Sequence, residues 1–196
     1  WLFYRSSAPG WPLGVTQAVN APQGVSVAYT DSIPLLAVLC RPLAAALGGT
    51  FQYFGWFTLV CFALQGGFAA LLCGLFAEGL AAPLAGSLVF TASPILLERA
   101  FRHTSLGAQW LVLAALYCYF VCRRQRRFAS RGLFVINVLA VGIHPYFLPM
   151  TYAVTLALLL EYAAKQRQWL RPALFLGCNM LCTAALGWAL GLLYGT

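Results

Sequence analysis

Charge is what this sequence has least of: 8% of its 196 residues are charged, and four are acidic. Soluble domains carry about a quarter charged residues, so a water-exposed globule is excluded. Also missing are a phosphate-cradling glycine loop, a nucleophile elbow, a Cys/His zinc pattern and any nucleic-acid motif. A cytosolic nucleotide site therefore has no support. The seven cysteines lie mostly inside apolar runs, and the i, i+4 pairs Cys118/Cys122 and Cys178/Cys182 have no further ligand beside them. Buried free thiols are expected. With no initiator Met and no signal segment, the chain reads as an internal stretch of a longer membrane protein, inactive by itself.

What is present is 62% hydrophobic with a net charge of +8. The basic residues gather in two short loops, above all Arg123-Arg124-Gln125-Arg126-Arg127-Phe128-Ala129-Ser130-Arg131. Membrane topology explains that clustering better than nucleic acid as a partner, because loops rich in Lys and Arg stay in the cytoplasm. The expected fold is all-α, a polytopic transmembrane helical bundle. Fixing the arginine loop inside gives every other segment a side.

Residues 1–50 form the expected outer first loop, broken by Pro9, Pro12, Pro22 and several glycines, with Val25 to Thr30 briefly extended. Ser32 to Leu47 would rise about 24 Å as a helix, too short to span, so it reads as an interfacial or re-entrant helix that starts near Asp31, Ser32 and Pro34. The membrane region, 51–196, then has spans at about 51–77, 81–97 (interrupted by Ser93-Pro94) and 106–122. Residues 132–161 are flanked by basic loops on both sides, and this makes them a hairpin with its tip at His144-Pro145. A last span runs over 172–194, with Gly187, Gly191 and Gly195 spaced for close packing.

This topology puts Asp31, Glu98, Arg99, Arg102, His103, His144 and Tyr146 on the outer face, while Glu78 and Glu161 border the cytoplasm. Asp31 reads either as a helix cap or as a carboxylate that binds a metal, orients a sugar hydroxyl or acts as a base. Glu98/Arg102 and Arg99/His103 are each four apart: they form a local ion pair with snorkelling arginines, or a site for a lipid-linked phosphate. His144-Pro145-Tyr146 should end one helix and begin another, with Pro145 in the first turn and free amides facing an anion. The plain alternative is a histidine hydrogen-bonded within its hairpin.

Tyr29-Thr30-Asp31-Ser32-Ile33-Pro34-Leu35, Phe51-Gln52-Tyr53-Phe54-Gly55, the Ser93-Pro94 through His103 stretch followed by Gln109-Trp110-Leu111, and Ile143-His144-Pro145-Tyr146-Phe147 together resemble a family of bacterial polytopic membrane proteins. That family is similar to the GT-C class of integral-membrane glycosyltransferases. The resemblance implies sugar transfer from a polyprenyl-phosphate donor at the outer face of the bacterial inner membrane. Membrane lipid and a lipid-linked sugar would be the partners and a divalent metal a conceivable cofactor, with Asp31 catalytic and Glu98, Arg99, Arg102, His103, His144 and Tyr146 binding substrate. The family's first acidic residue would precede Trp1, and Asp31 would correspond to a second. A non-enzymatic transporter or lipid-binding protein, suggested by the short hairpin, is the competing reading.

Overall fold

Long apolar runs become helices here, and prolines and glycines punctuate them. A computed structural model describes residues 1–44, 46, 48–125, 128 and 130–194. Within them run α1 (Leu2–Ser6), β1 (Val15–Thr16), β2 (Val25–Ser26), α2 (Pro34–Cys40), α3 (Phe54–Gly74), α4 (Ala81–Thr91) and α5 (Pro94–Arg102). Then follow α6 (Trp110–Gln125), α7 (Ser130–Ile143), α8 (Phe147–Gln166) and α9 (Leu170–Ala189). The chain is a mostly helical bundle, with one antiparallel ribbon pairing Val15 with Ser26 and Thr16 with Val25.

Among the described residues, four helical stretches are long and apolar enough to cross a membrane: α3, α8, α9, and Thr104–Gln125, which comprises α6 and the turn before it. The pair α4 and α5 is together long and apolar enough for a broken span or a re-entrant loop, bent by 44° where Pro94 withholds its backbone donor. Leu59, Leu84, Leu88, Leu174 and Leu181 face outward and are exposed. Apolar surface on this scale suits lipid and not water, which marks a membrane protein.

The helices pack about Leu111, Ala114, Leu133, Ala140, Ile143 and Phe147. Small residues permit close approaches: a Cβ on Gly86 of α4 would stand 2.4 Å from Cys73 Sγ of α3. Between α7, α8 and α9 lies a polar layer that the sequence reading missed. Asn137 Nδ2 donates to Thr155 Oγ1 (3.2 Å) and Asn179 Oδ1 (3.0 Å), and Tyr152 and Thr183 share a hydrogen bond of 3.0 Å. Polar groups set in apolar helices hold partners in register.

One end of the bundle gathers the first loop, the α5–α6 connection, the α7–α8 tip and the end of α9; we call it the loop end. Tyr53 Oη donates to Ser32 O, and Leu13 N donates to Ala189 O at 2.8 Å. At the opposite, arginine end, Glu161 accepts from Tyr119 Oη (2.7 Å), Arg123 Nε (3.2 Å) and Lys165 Nζ (2.5 Å), while Arg124 donates to Leu75 O (3.1 Å). Arg126, Arg127 and Ala129 of the arginine loop lie outside the described residues.

Several boundaries differ from expectation. Helix α2 stops at Cys40, where Pro42 has no N–H to continue it, and the Arg41 guanidinium donates to Ser7 O at 2.6 Å; Leu47 lies outside the described residues. The hairpin is lopsided, with 14 residues in α7 and 20 in α8, and Leu35 of α2 packs against Gly142 at the end of the shorter arm. Helix α9 ends at Ala189, short of Tyr194. Gly191 packs against the ribbon and not a helix, its Cβ position lying 3.0 Å from Ser26 Oγ and 3.1 Å from Val15, and at φ 82° it also reverses the chain, with Leu192 N donating to Gly187 O (2.9 Å) and Gly191 N to Trp188 O (3.0 Å). Gly187 does pack, its Cβ position lying 3.5 Å from Val141, and Gly195 falls outside the described residues. Of the seven cysteines, Cys61 and Cys122 are buried and Cys178 is exposed, and no two are joined in a disulfide.

Candidate functional site

Asp31 does not cap the helix that follows it. Ile33, in a left-handed conformation at φ 50°, precedes α2, and no side chain caps that helix. The carboxylate instead reaches across to the connection between α5 and α6. Its Oδ2 accepts from Thr104 N at 2.6 Å, and its Oδ1 accepts from Ser105 N at 3.0 Å and from Ser105 Oγ. A carboxylate has about four acceptor positions, so three donors occupy most of them. The expectation of a capping role was right in kind and wrong in target.

The α7–α8 tip also departs from expectation. Pro145 lies before the helix, which begins at Phe147 with Tyr146 as its cap residue. The amides that were to face an anion are already engaged: Tyr146 N donates to His144 Nδ1 (3.2 Å), Phe147 N to His144 O (3.1 Å) and Leu148 N to Pro145 O (3.1 Å). Position 149 is a proline and has no N–H. This helix start is therefore not an anion site. The Tyr146 ring stands edge-on to His144 with centroids 4.7 Å apart.

Partial burial holds the His144 imidazole below its ordinary pKa, with the Asp31 charge pulling it back up and His103 adding to the depression. Accepting from Tyr146 N places the neutral ring's proton on Nε2. Asp31, His103 and His144 thus form one electrostatic neighbourhood. Glu98 and Arg102 do not join it: they pair with each other at 3.8 Å, their side chains 63% and 75% exposed, and so contribute little.

Arg99 and Tyr146 meet elsewhere. They line a cleft of ≈470 Å³ together with Gln65, Gln109, Phe90 and Met150, among others. Gln65 lies eleven residues into α3, about 16 Å of helical rise below its loop end, and is 3% exposed. Its Oε1 has no hydrogen-bond partner among the described residues. The sequence reading passed over Gln65, whose one signal was an amide inside an apolar run. Asp31, Glu98, Arg102, His103 and His144 are not part of this lining.

A family model described as "Domain of unknown function (DUF6311)" matches residues 1–196. The chain belongs to the DUF6311 family. No curated protein and no solved structure matches it. For this DUF6311 chain, then, chemistry must be argued from the residues themselves. Metal chemistry gains nothing from them: among the described residues no three His, Cys, Asp or Glu side chains come together to hold an ion, and Asp31 is largely engaged by backbone and Ser105 donors.

Proposed function

We propose that the chain is the membrane region of a GT-C-like glycosyltransferase that takes its sugar from a polyprenyl-phosphate donor at the outer face of the bacterial inner membrane. The observation that carries the reading is the cleft at the loop end, where the half-buried Arg99 stands among apolar walls with Tyr146, Gln65 and Gln109. A guanidinium beside apolar surface suits a phosphate joined to a hydrocarbon tail, because it binds oxygen pairs bidentately and keeps its charge.

In the transfer, the bond between the anomeric carbon and the phosphate oxygen breaks, and a bond from that carbon to the acceptor hydroxyl oxygen forms. The phosphate leaves carrying the charge that Arg99 stabilises. Asp31 orients the acceptor hydroxyl through the acceptor position its three donors leave, and holds the turn that follows α5. The hydroxyl proton passes to that Asp31 carboxylate oxygen, because both His144 ring nitrogens are engaged, Nδ1 by Tyr146 N and Nε2 by its own proton. Substituting Arg99→Ala in the full-length protein should weaken polyprenyl-phosphate binding and transfer together; unchanged binding and transfer would end this assignment.

A second reading, a lipid-binding or transport protein without transferase activity, draws on a different feature. An apolar groove of ≈480 Å³ between α8 and α9, lined by Leu148, Tyr152, Met180 and Trp188 among others, has the wall chemistry for an acyl or prenyl chain. Sugar transfer by the purified full-length protein would separate the two.

A further inference from the structure

We propose that Gln65 is the hydroxyl-reading residue of the loop-end cleft, and that the ligand reaching it is a polyol such as a hexose. The inference rests on the cleft being the binding site argued above, and it adds the part of the ligand that Arg99 does not explain.

The argument starts from an imbalance. Gln65 sits in the second half of an apolar helix and lines the cleft with Arg99 and Tyr146. It is 3% exposed, and its Oε1 is unpartnered among the described residues. A buried amide oxygen without a donor destabilises a fold, and an apolar residue of similar size would remove that penalty. The position therefore keeps an amide for something other than packing. Phe90, Leu106, Val112 and Leu113 give the cleft apolar walls, and its polar side chains Ser93, Arg99, Gln109 and Tyr146 make no hydrogen bond to Oε1.

The choice of ligand group follows from donor and acceptor counting. A carbonyl or phosphate oxygen would suit an amide only when its NH2 faces the cleft. A hydroxyl donates and accepts, so it serves either orientation of the amide. A sugar offers several hydroxyls on one rigid ring. Gln109, on the same cleft wall, supplies a second amide for a neighbouring hydroxyl. Sites built to hydrogen-bond a substrate hydroxyl discriminate strongly against analogues that lack it, because the buried group is then left unpaired.

The experiment uses the full-length protein in nanodiscs, with affinities from calorimetry and melting points from thermal unfolding. Two probe pairs are compared: farnesyl phosphate against farnesyl phosphoryl hexose, and an alkyl hexoside against the same alkyl ether of unsubstituted tetrahydropyran. Wild type should bind the hydroxylated member of each pair more tightly. Gln65→Leu should lose about tenfold of that preference, leave farnesyl phosphate affinity unchanged, and melt no lower than wild type. Gln65→Asn, which keeps the amide on a shorter stem, should fall between them.

Three results overturn the inference: no hydroxyl preference in wild type, a preference that Gln65→Leu retains, or a clearly lower melting point for Gln65→Leu, which would make the amide structural. Arg99→Ala reads the other half. If it leaves farnesyl phosphate binding intact, the phosphate assignment fails, and the phosphate-free pair still decides Gln65 on its own.

Discussion

Asp31 and Ser105 are 74 residues apart in the chain, and one carboxylate oxygen of the first accepts from both the backbone N–H and the hydroxyl of the second. With Thr104 N on the other oxygen, this clasp fastens the first loop to the connection between α5 and α6. It is a charge-assisted contact, and such bonds are stronger than neutral ones.

Replacing Asp31 with Asn should loosen that clasp. The amide can accept through only one atom, and its NH2 end would face an N–H donor. A loss of about 1–3 kcal/mol follows for the connection, read as a lower unfolding midpoint in mild detergent. Ser105→Ala keeps both backbone donors and should cost less, about 0.5–1.5 kcal/mol. Equal midpoints for wild type and Asp31→Asn would mean the clasp contributes nothing.

His144 should make stability depend on pH, with a definite sign. Its folded pKa lies below the ordinary value because burial disfavours the imidazolium, and protonating Nδ1 would also break the bond from Tyr146 N. Between the depressed folded value and about 6.5 the unfolded chain binds more protons, so stability is full above that window and falls as pH drops through it. Substituting His144→Gln should flatten this part of the unfolding-midpoint profile. A His144 ring signal in NMR that titrates above 6.5 would contradict the assignment.

Asn137 and Asn179 should behave as one unit. Each uses one end of its amide in their shared bond, while Asn137 Oδ1 and Asn179 Nδ2 have no partner among the described residues. Either Asn→Ala change should cost about 0.5–2 kcal/mol, and the double change about as much as the worse single one, since bonded partners are not additive. Strict additivity in a double-mutant cycle would show that the two do not interact.

Gly86→Ala should be poorly tolerated, because its methyl would enter the space of Cys73 Sγ. Overpacking of this kind costs about 1–3 kcal/mol. Cys73→Ala removes the sulfur and should restore most of the loss when combined with it. A destabilised Gly86→Ala variant that Cys73→Ala fails to rescue would place the clash elsewhere.

Much of the architecture was legible because its signals are local. The apolar lengths around α3, α6 and α8 announce helices, Ser93-Pro94 marks the bend, and His144-Pro145 marks the tip. Ends were less legible. Gly191 has the spacing of a packing glycine, yet its use as a reversal depends on carbonyls of Gly187 and Trp188 that a sequence does not display as acceptors. The site was legible only in part. Arg99 and Tyr146 stand out as polar groups at the right end, but their meeting with Gln65 requires three helices to pack. Asp31 shows the same limit: its residue type suggests capping, and only the fold reveals which amides it caps. The Asn137–Asn179 layer joins one polar residue of α7 to Tyr152 and Thr155 of α8 and to Asn179 and Thr183 of α9, and only the packing of three helices shows that they meet.

The first loop finds its partners at the far end of the chain. Ser26 Oγ donates to Leu190 O across 164 positions at 3.3 Å, and Tyr194 Oη donates to Gln23 O across 171. Ribosomes add about 5–20 residues each second, so the loop emerges roughly 10–30 s before the segment that completes it. During that interval its ribbon edge and apolar residues lack these partners, and the helices between them are placed before the strap from Gln23 and Ser26 to Leu190 and Tyr194 can form. Biogenesis of this protein is thus a waiting problem, and slow synthesis or a membrane chaperone that shields residues 11–30 should govern its yield more than any single helix does.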